Sequence, residues 1–162
     1  MESIKKAQKC NSNKAQVFNH SGEMYLGMGH VQEAEELFKK AEKEDPRWAY
    51  SYINHAVLVL QMTQDFIQCA KLLDKAIAVD PSCVTAYLQK AQLHMLLQEW
   101  DNAKEALENG LKEARTSTDL HQVYAMKETV KYQLEATEKY SDYQIAPTYS
   151  LLNSFYKRWF SV

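Results

Sequence analysis

The stretch Ala49-YSYINHAVLVLQMTQDFIQCAKLLDKAIAVD-Pro81 decides the fold. It sets the large Tyr52 four residues ahead of the small Ala56, follows with Cys69, Leu73 and Ala76, and closes on Pro81. Upstream the same order runs through Phe18, Gly22, Ala34, Phe38, Ala41 and Pro46; downstream it runs through Tyr87, Ala91, Ala103, Leu107 and Gly110. A pattern that returns every ~34 residues marks a helical repeat array. Each unit pairs two antiparallel helices, and large side chains fill the gaps that small residues leave for close approach. First-helix markers step by 34 and then 35 positions, whereas second-helix markers step by 35 and then 34. One extra residue between Val59 and Phe66 explains both, and the Gln61-Met62-Thr63-Gln64-Asp65 turn is where it is expected, because turns absorb insertions.

These units resemble the tetratricopeptide signature. The expected fold is an all-α tetratricopeptide-repeat superhelix: a leading polar segment over 1–14, units over 15–48, 49–83 and 84–117, a capping helix over 118–140, and a linker with an amphipathic tail helix over 141–162. Asp65 and Asp101 stand where N-cap oxygens are wanted. Asp80-Pro81 ends the second unit, since Pro81 cannot continue a helix. The slot for a third such proline is Arg115, so the repeat register stops there. Thr116-Ser117-Thr118-Asp119 is a cap-rich start, and Leu120, Val123, Tyr124, Lys127, Val130, Leu134, Thr137 and Tyr140 give the following helix its apolar spacing. An array needs a last helix with a polar outer face, which this supplies. In the tail, Leu151, Leu152, Phe155, Tyr156, Trp159 and Phe160 share one helical face. That face is expected to dock on the array; self-association through Leu152, Phe155, Tyr156 and Trp159, or contact with a membrane surface, are the alternatives.

The bulk composition removes several classes of function. With 19 Lys and Arg against 21 Asp and Glu, the net charge is −2, the wrong balance for duplex nucleic acid. Cys10, Cys69 and Cys83 are an odd number without metal-ligand spacing, the pattern of a reducing compartment. No run approaches the ~18 apolar residues of a membrane span. The chain holds no Gly-rich phosphate loop, His-Glu-x-x-His, Cys-x-x-Cys or nucleophile elbow, so neither catalysis nor a metal or other cofactor is expected. His55 and His94 fall in packed slots and are expected to pack or hydrogen-bond.

What remains is the surface lined by the first helix of each unit. Its expected residues are Gln16, Asn19, Glu23 and Leu26, then Tyr50, Ile53, Asn54, Val57 and Leu60, then Thr85, Leu88, Gln89, Gln92, Met95 and Leu96. Tyr50, Ile53, Asn54, Val57, Leu60, Leu88, Gln92, Met95 and Leu96 form the candidate peptide-binding set. Leu, Ile and Met suit an apolar partner segment. Covering of several of these residues by the capping helix or the tail is the alternative.

A more particular resemblance rests on Gln64-Asp65-Phe66 with its extra residue, Asp74-Lys75-Ala76-Ile77, Asp80, Cys83, Ala86-Tyr87, Ala103, Leu111, Ala114-Arg115-Thr116, Leu120, Tyr124, Ala136 and Lys139-Tyr140. Over roughly 15–140 the chain resembles the C-terminal repeats of the large receptor of the mitochondrial outer-membrane translocase. The resemblance implies a protein-binding module, facing the cytosol at that membrane, that recognises hydrophobic internal targeting segments of precursor proteins and has other translocase subunits as neighbours. A membrane anchor and a chaperone-docking domain precede these repeats in that family, and neither is found in this sequence. The chaperone clamp of tetratricopeptide domains uses Lys and Asn in one unit, Asn in the next, and Lys with Arg in the third. The matching positions here are Asn19, Glu23, Asn54, Thr85 and Gln89, of which Asn54 alone fits. A general cytosolic scaffold or co-chaperone-like adaptor is the alternative function.

Overall fold

The computed structural model describes residues 13–139, and these form seven α-helices and no strand. They are α1 (Lys14–Gly27), α2 (Val31–Glu44), α3 (Ala49–Thr63), α4 (Phe66–Val79), α5 (Val84–Leu96), α6 (Trp100–Glu113) and α7 (Ser117–Lys139). The pairs α1/α2, α3/α4 and α5/α6 are the three expected units, and α7 packs on α6 and α5 as a cap. Residues 1–12 of the leading segment and the tail helix, including Leu152, Phe155, Tyr156 and Trp159, lie outside the described residues, and Lys14 already belongs to α1.

The small-and-large rule that defines the repeat is visible atom by atom. A Cβ built at Gly22 would stand 2.6 Å from Cε1 of Phe38, and one at Gly110 would stand 3.0 Å from Cβ of Tyr87. Each glycine therefore exists to let an aromatic ring lie against bare backbone. Around Phe38, the residues Tyr25, Ala34 and Leu37 make the core of the first unit, which Leu58 enters from the second. Ala56, Cys69 and Leu73 form a cluster that Leu93 joins from the third unit. Ala49, Tyr52, Ile53 and Ala76 share another with Cys83 and Ala86.

The junctions between units repeat as well. Asp45 and Asp80 accept from the backbone N–H two residues on, at 3.0 and 3.1 Å, and so fold the chain over Pro46 and Pro81. The Tyr52 hydroxyl donates to the Pro46 carbonyl and the Tyr87 hydroxyl to the Pro81 carbonyl, both at 3.1 Å. A polar contact crosses each junction from the same repeat position, and at the second it is Lys90 Nζ on α5, 2.6 Å from Asp74 Oδ1 on α4. Buried His55 on α3 has Nδ1 2.7 Å from Glu42 Oε1 on α2, a distance at which the ring N–H donates to the carboxylate. His94 makes a similar contact at the surface, 2.7 Å from Glu99.

Inside each unit the turn places one left-handed residue five positions before the small-residue slot: Gly29 (φ 82°), Gln64 (φ 53°) and Gln98 (φ 58°). The turn therefore meets its second helix in the same register every time, and the extra residue of unit two must lie earlier. It lies in the helix. α3 ends at Thr63, eleven residues past Tyr52, whereas α1 and α5 end nine past Phe18 and Tyr87. The turn is correspondingly shortened to Gln64 and Asp65, so Gln61, Met62 and Thr63 are helical rather than part of a longer loop.

Of the two expected caps, Asp65 accepts from the Gln68 N–H at 2.9 Å. Asp101 does not cap; α6 starts at Trp100, and Asp101 sits in its first turn, facing Lys104 at 3.4 Å. A carboxylate there still meets the positive end of the helix dipole. Thr116 and Asp119 form a reciprocal capping box at the start of α7, each side chain accepting the other's backbone N–H at 3.0 Å. These bonds hold the Asp119 carboxyl below its ordinary pKa. The buried face of α7 is narrower than its spacing suggests. Val123 and Val130 are buried and Met126 packs beside them, while Leu120 and Tyr124 are exposed.

Cys69 and Cys83 are buried free thiols. Desolvation pushes Cys69 up to about 12 and Cys83 in the same direction, so thiolate, the reactive form, is nearly absent in the folded chain. Iodoacetamide at mildly alkaline pH is expected to leave Cys69 unmodified by mass spectrometry until denaturant is added. Labelling of native protein as fast as of denatured protein would contradict this packing.

Candidate peptide-binding groove

The first helices form a continuous row, since α1 packs on α3, α3 on α5 and α5 on α7. That row carries every candidate binding residue, at three levels of access. Tyr50 is open, at 45% exposure. Asn54, Leu60, Gln92, Met95 and Leu96 are half-buried. Ile53, Val57 and Leu88 are not lining residues in the expected sense, with only 2, 5 and 7% of their surface exposed. Ile53 is drawn into the seam with Cys83 and Ala86, and Leu88 into the cluster that includes Val123 and Val130 of the cap. They make a floor. The surface open to a partner runs over Tyr50, Leu60, Gln92, Met95 and Leu96, with Asn54 set among them.

At the unit-one end the floor becomes polar, and one carboxylate organises it. Glu23 on α1 accepts through Oε1 from the Asn19 amide of the preceding turn at 2.9 Å, and through the same oxygen from the Asn54 amide of α3. Its Oε2 lies 3.1 Å from His20 Nδ1 on the exposed rim. Asn19 is itself buried, and its Oδ1 has no hydrogen-bond partner. A buried acceptor without a partner is costly, so this cluster is an unusual concentration of acceptor character. At the repeat-equivalent positions of unit three stand Leu88, Gln92 and Gln89, all uncharged.

The link between α1 and α3 through Glu23 and Asn54 spans 31 residues of sequence. The i, i+4 pairing of Asn19 with Glu23 is visible in the sequence, as is the i, i+3 spacing of His20. Asn54 joins them only because the repeat places α3 beside α1. Among the described residues no group of three or more His, Cys, Asp or Glu side chains could hold a metal ion, and no helix is long and apolar enough to cross a membrane.

The family model described as tetratricopeptide repeat matches residues 15–47. The mitochondrial import receptor subunit TOM70 of Homo sapiens is 24% identical over 107 residues, a stretch covering 66% of this chain and 18% of the receptor, so the chain spans about a fifth of that protein's length. Among solved structures, the TPR2B domain of yeast Sti1 in a complex with an Hsp70 peptide superposes with a TM-score of 0.65 at 22% identity, over 75% of this chain and 99% of that one. The first TPR of Spaghetti (RPAP3) bound to the HSP90 peptide SRMEEVD gives 0.60 at 21% identity, over 75% and 98%. Three helix pairs, a capping helix, the glycine–aromatic contacts and these superpositions give the chain a tetratricopeptide-repeat fold, that of a protein-binding module.

Proposed function

We propose that this module is the precursor-binding part of a mitochondrial protein-import receptor, and that its groove takes hydrophobic internal targeting segments. The observation that carries the proposal is the make-up of the groove: Tyr50, Leu60, Met95 and Leu96 offer apolar surface, and the ionised side chain among them is a carboxylate. Flexible Met and Leu side chains accommodate apolar segments of varied sequence. Sequence similarity to the import receptor supports the setting, at the cytosolic face of the outer membrane with other translocase subunits nearby. The module acts by binding, not catalysis.

An adaptor that holds chaperone tails is the second candidate, favoured by the likeness to the Sti1 and RPAP3 domains. Against it stands the charge at the clamp positions. A tail ending in acidic residues would meet Glu23 where a chaperone clamp offers an uncharged amide, and Asn19, Thr85 and Gln89 where it offers cations. Like charges at such a site cost affinity. In a titration, apolar segments from metabolite carriers are therefore expected to bind, and the peptide SRMEEVD is not. Tight, salt-sensitive binding of SRMEEVD together with failure of every carrier segment would make the adaptor the better reading.

A further inference from the structure

The groove is not merely apolar; it has a fixed anionic end. We propose that Glu23, oriented by Asn19 and Asn54, is a docking point for a lysine or arginine side chain carried within an otherwise apolar peptide. This deepens the reading of the groove as a site for apolar segments and rests on it.

Three features of the cluster support the assignment. First, Glu23 keeps 37% of its side chain exposed, although both amides that fix it belong to the floor. A carboxylate held in place yet open to solvent is prepared for a partner, because its rotamer freedom has already been lost. Second, the lining positions of unit two, from Tyr50 to Leu60, and of unit three, from Thr85 to Leu96, as named for the groove, include no cation. His20, on the rim, is the other group facing Oε2. Third, the Asn19 amide that donates to Glu23 is buried, with 1% of its surface exposed, so the group that orients the carboxylate cannot swing away from it. Lysine and arginine present only donors, and a donor that is also charged makes the stronger kind of hydrogen bond to a carboxylate. The apolar stem of either residue would lie along the floor with its head at Glu23.

The test uses an end-blocked peptide of Leu and Ala whose one charged residue is a central Lys, and its Gln and Glu counterparts, titrated into the whole chain at low and high salt. On the unmodified protein the Lys peptide is expected to bind about two- to fivefold more tightly than the Gln peptide, with the advantage shrinking as salt rises. Glu23→Gln should abolish the advantage. Glu23→Lys should reverse it in favour of the Glu peptide. Thermal midpoints of both variants check that the array remains folded, and the comparison of peptides on the unmodified protein needs no variant. Equal affinity for the Lys and Gln peptides overturns the anchor and leaves the apolar groove standing, as does an advantage that persists in both Glu23 variants. If none of the three peptides binds, the anchor and the groove reading fall together.

Discussion

Phe38→Ala is expected to cost about 3–5 kcal/mol, the ordinary penalty for emptying a fully buried aromatic site. Phe38 has no exposed surface and stands at the centre of the cluster that holds α1, α2 and the incoming Leu58 together. Its ring lies on bare backbone at Gly22, so no neighbouring side chain on that side can relax into the hole. Chemical denaturation should show the full loss. The same contact predicts a coupling: Gly22→Ala should be strongly destabilising in the natural background, where the new methyl would stand 2.6 Å from the ring. It should be milder once Phe38 is shortened to Leu. A double-mutant cycle with no interaction energy between the two sites would mean that the ring is not seated where the structure puts it.

Ala103→Leu is expected to cost about 1–3 kcal/mol by overpacking. Ala103 is fully buried between α5 and α6, in a cluster with Val84, Leu88, Ala91, Leu107 and the cap residues Val123 and Val130. Added volume must push either the second helix of the unit or the cap away. Unit two gives a built-in control, because Cys69 occupies the equivalent slot and is buried without difficulty. Ala103→Cys should therefore be close to neutral while Ala103→Leu lowers the thermal midpoint. An unchanged midpoint for the leucine variant would mean that the slot is not a helix crossing.

Those slots are why the fold can be read from the chain. Gly22 with Phe38 and Gly110 with Tyr87 are contacts within a unit, between slots that return in every unit. What the period conceals is the contact between units. Ile53 and Leu88 look like groove residues when each first helix is considered alone, and they are buried because the neighbouring unit and the cap lie against them. Val123 and Val130 on α7 are buried for the same reason, although Leu120 and Tyr124 fit the apolar spacing equally well. The extra residue of unit two was bracketed between Val59 and Phe66, but only backbone geometry distinguishes a longer loop from a longer helix. Gln64, in the left-handed region, settles it in favour of the helix. The Glu23 cluster combines a local spacing with a partner 31 residues away, so half of it is legible and half is not.

The two seams between units are built from different materials. The first joins Leu58 to the Phe38 cluster and adds the buried His55–Glu42 contact; the second brings Cys83, Ala86 and Leu93 against unit two and adds the Lys90–Asp74 pair, which is open to solvent and so contributes little. Apolar association weakens on cooling, because its drive comes from released water. A hydrogen bond between imidazole and carboxylate does not share that origin. Cooling should thus loosen the second seam relative to the first, and warming should narrow the difference. In a linear array, where stability is a sum of units and nearest-neighbour couplings, the place at which the chain first parts is then set by temperature as much as by sequence.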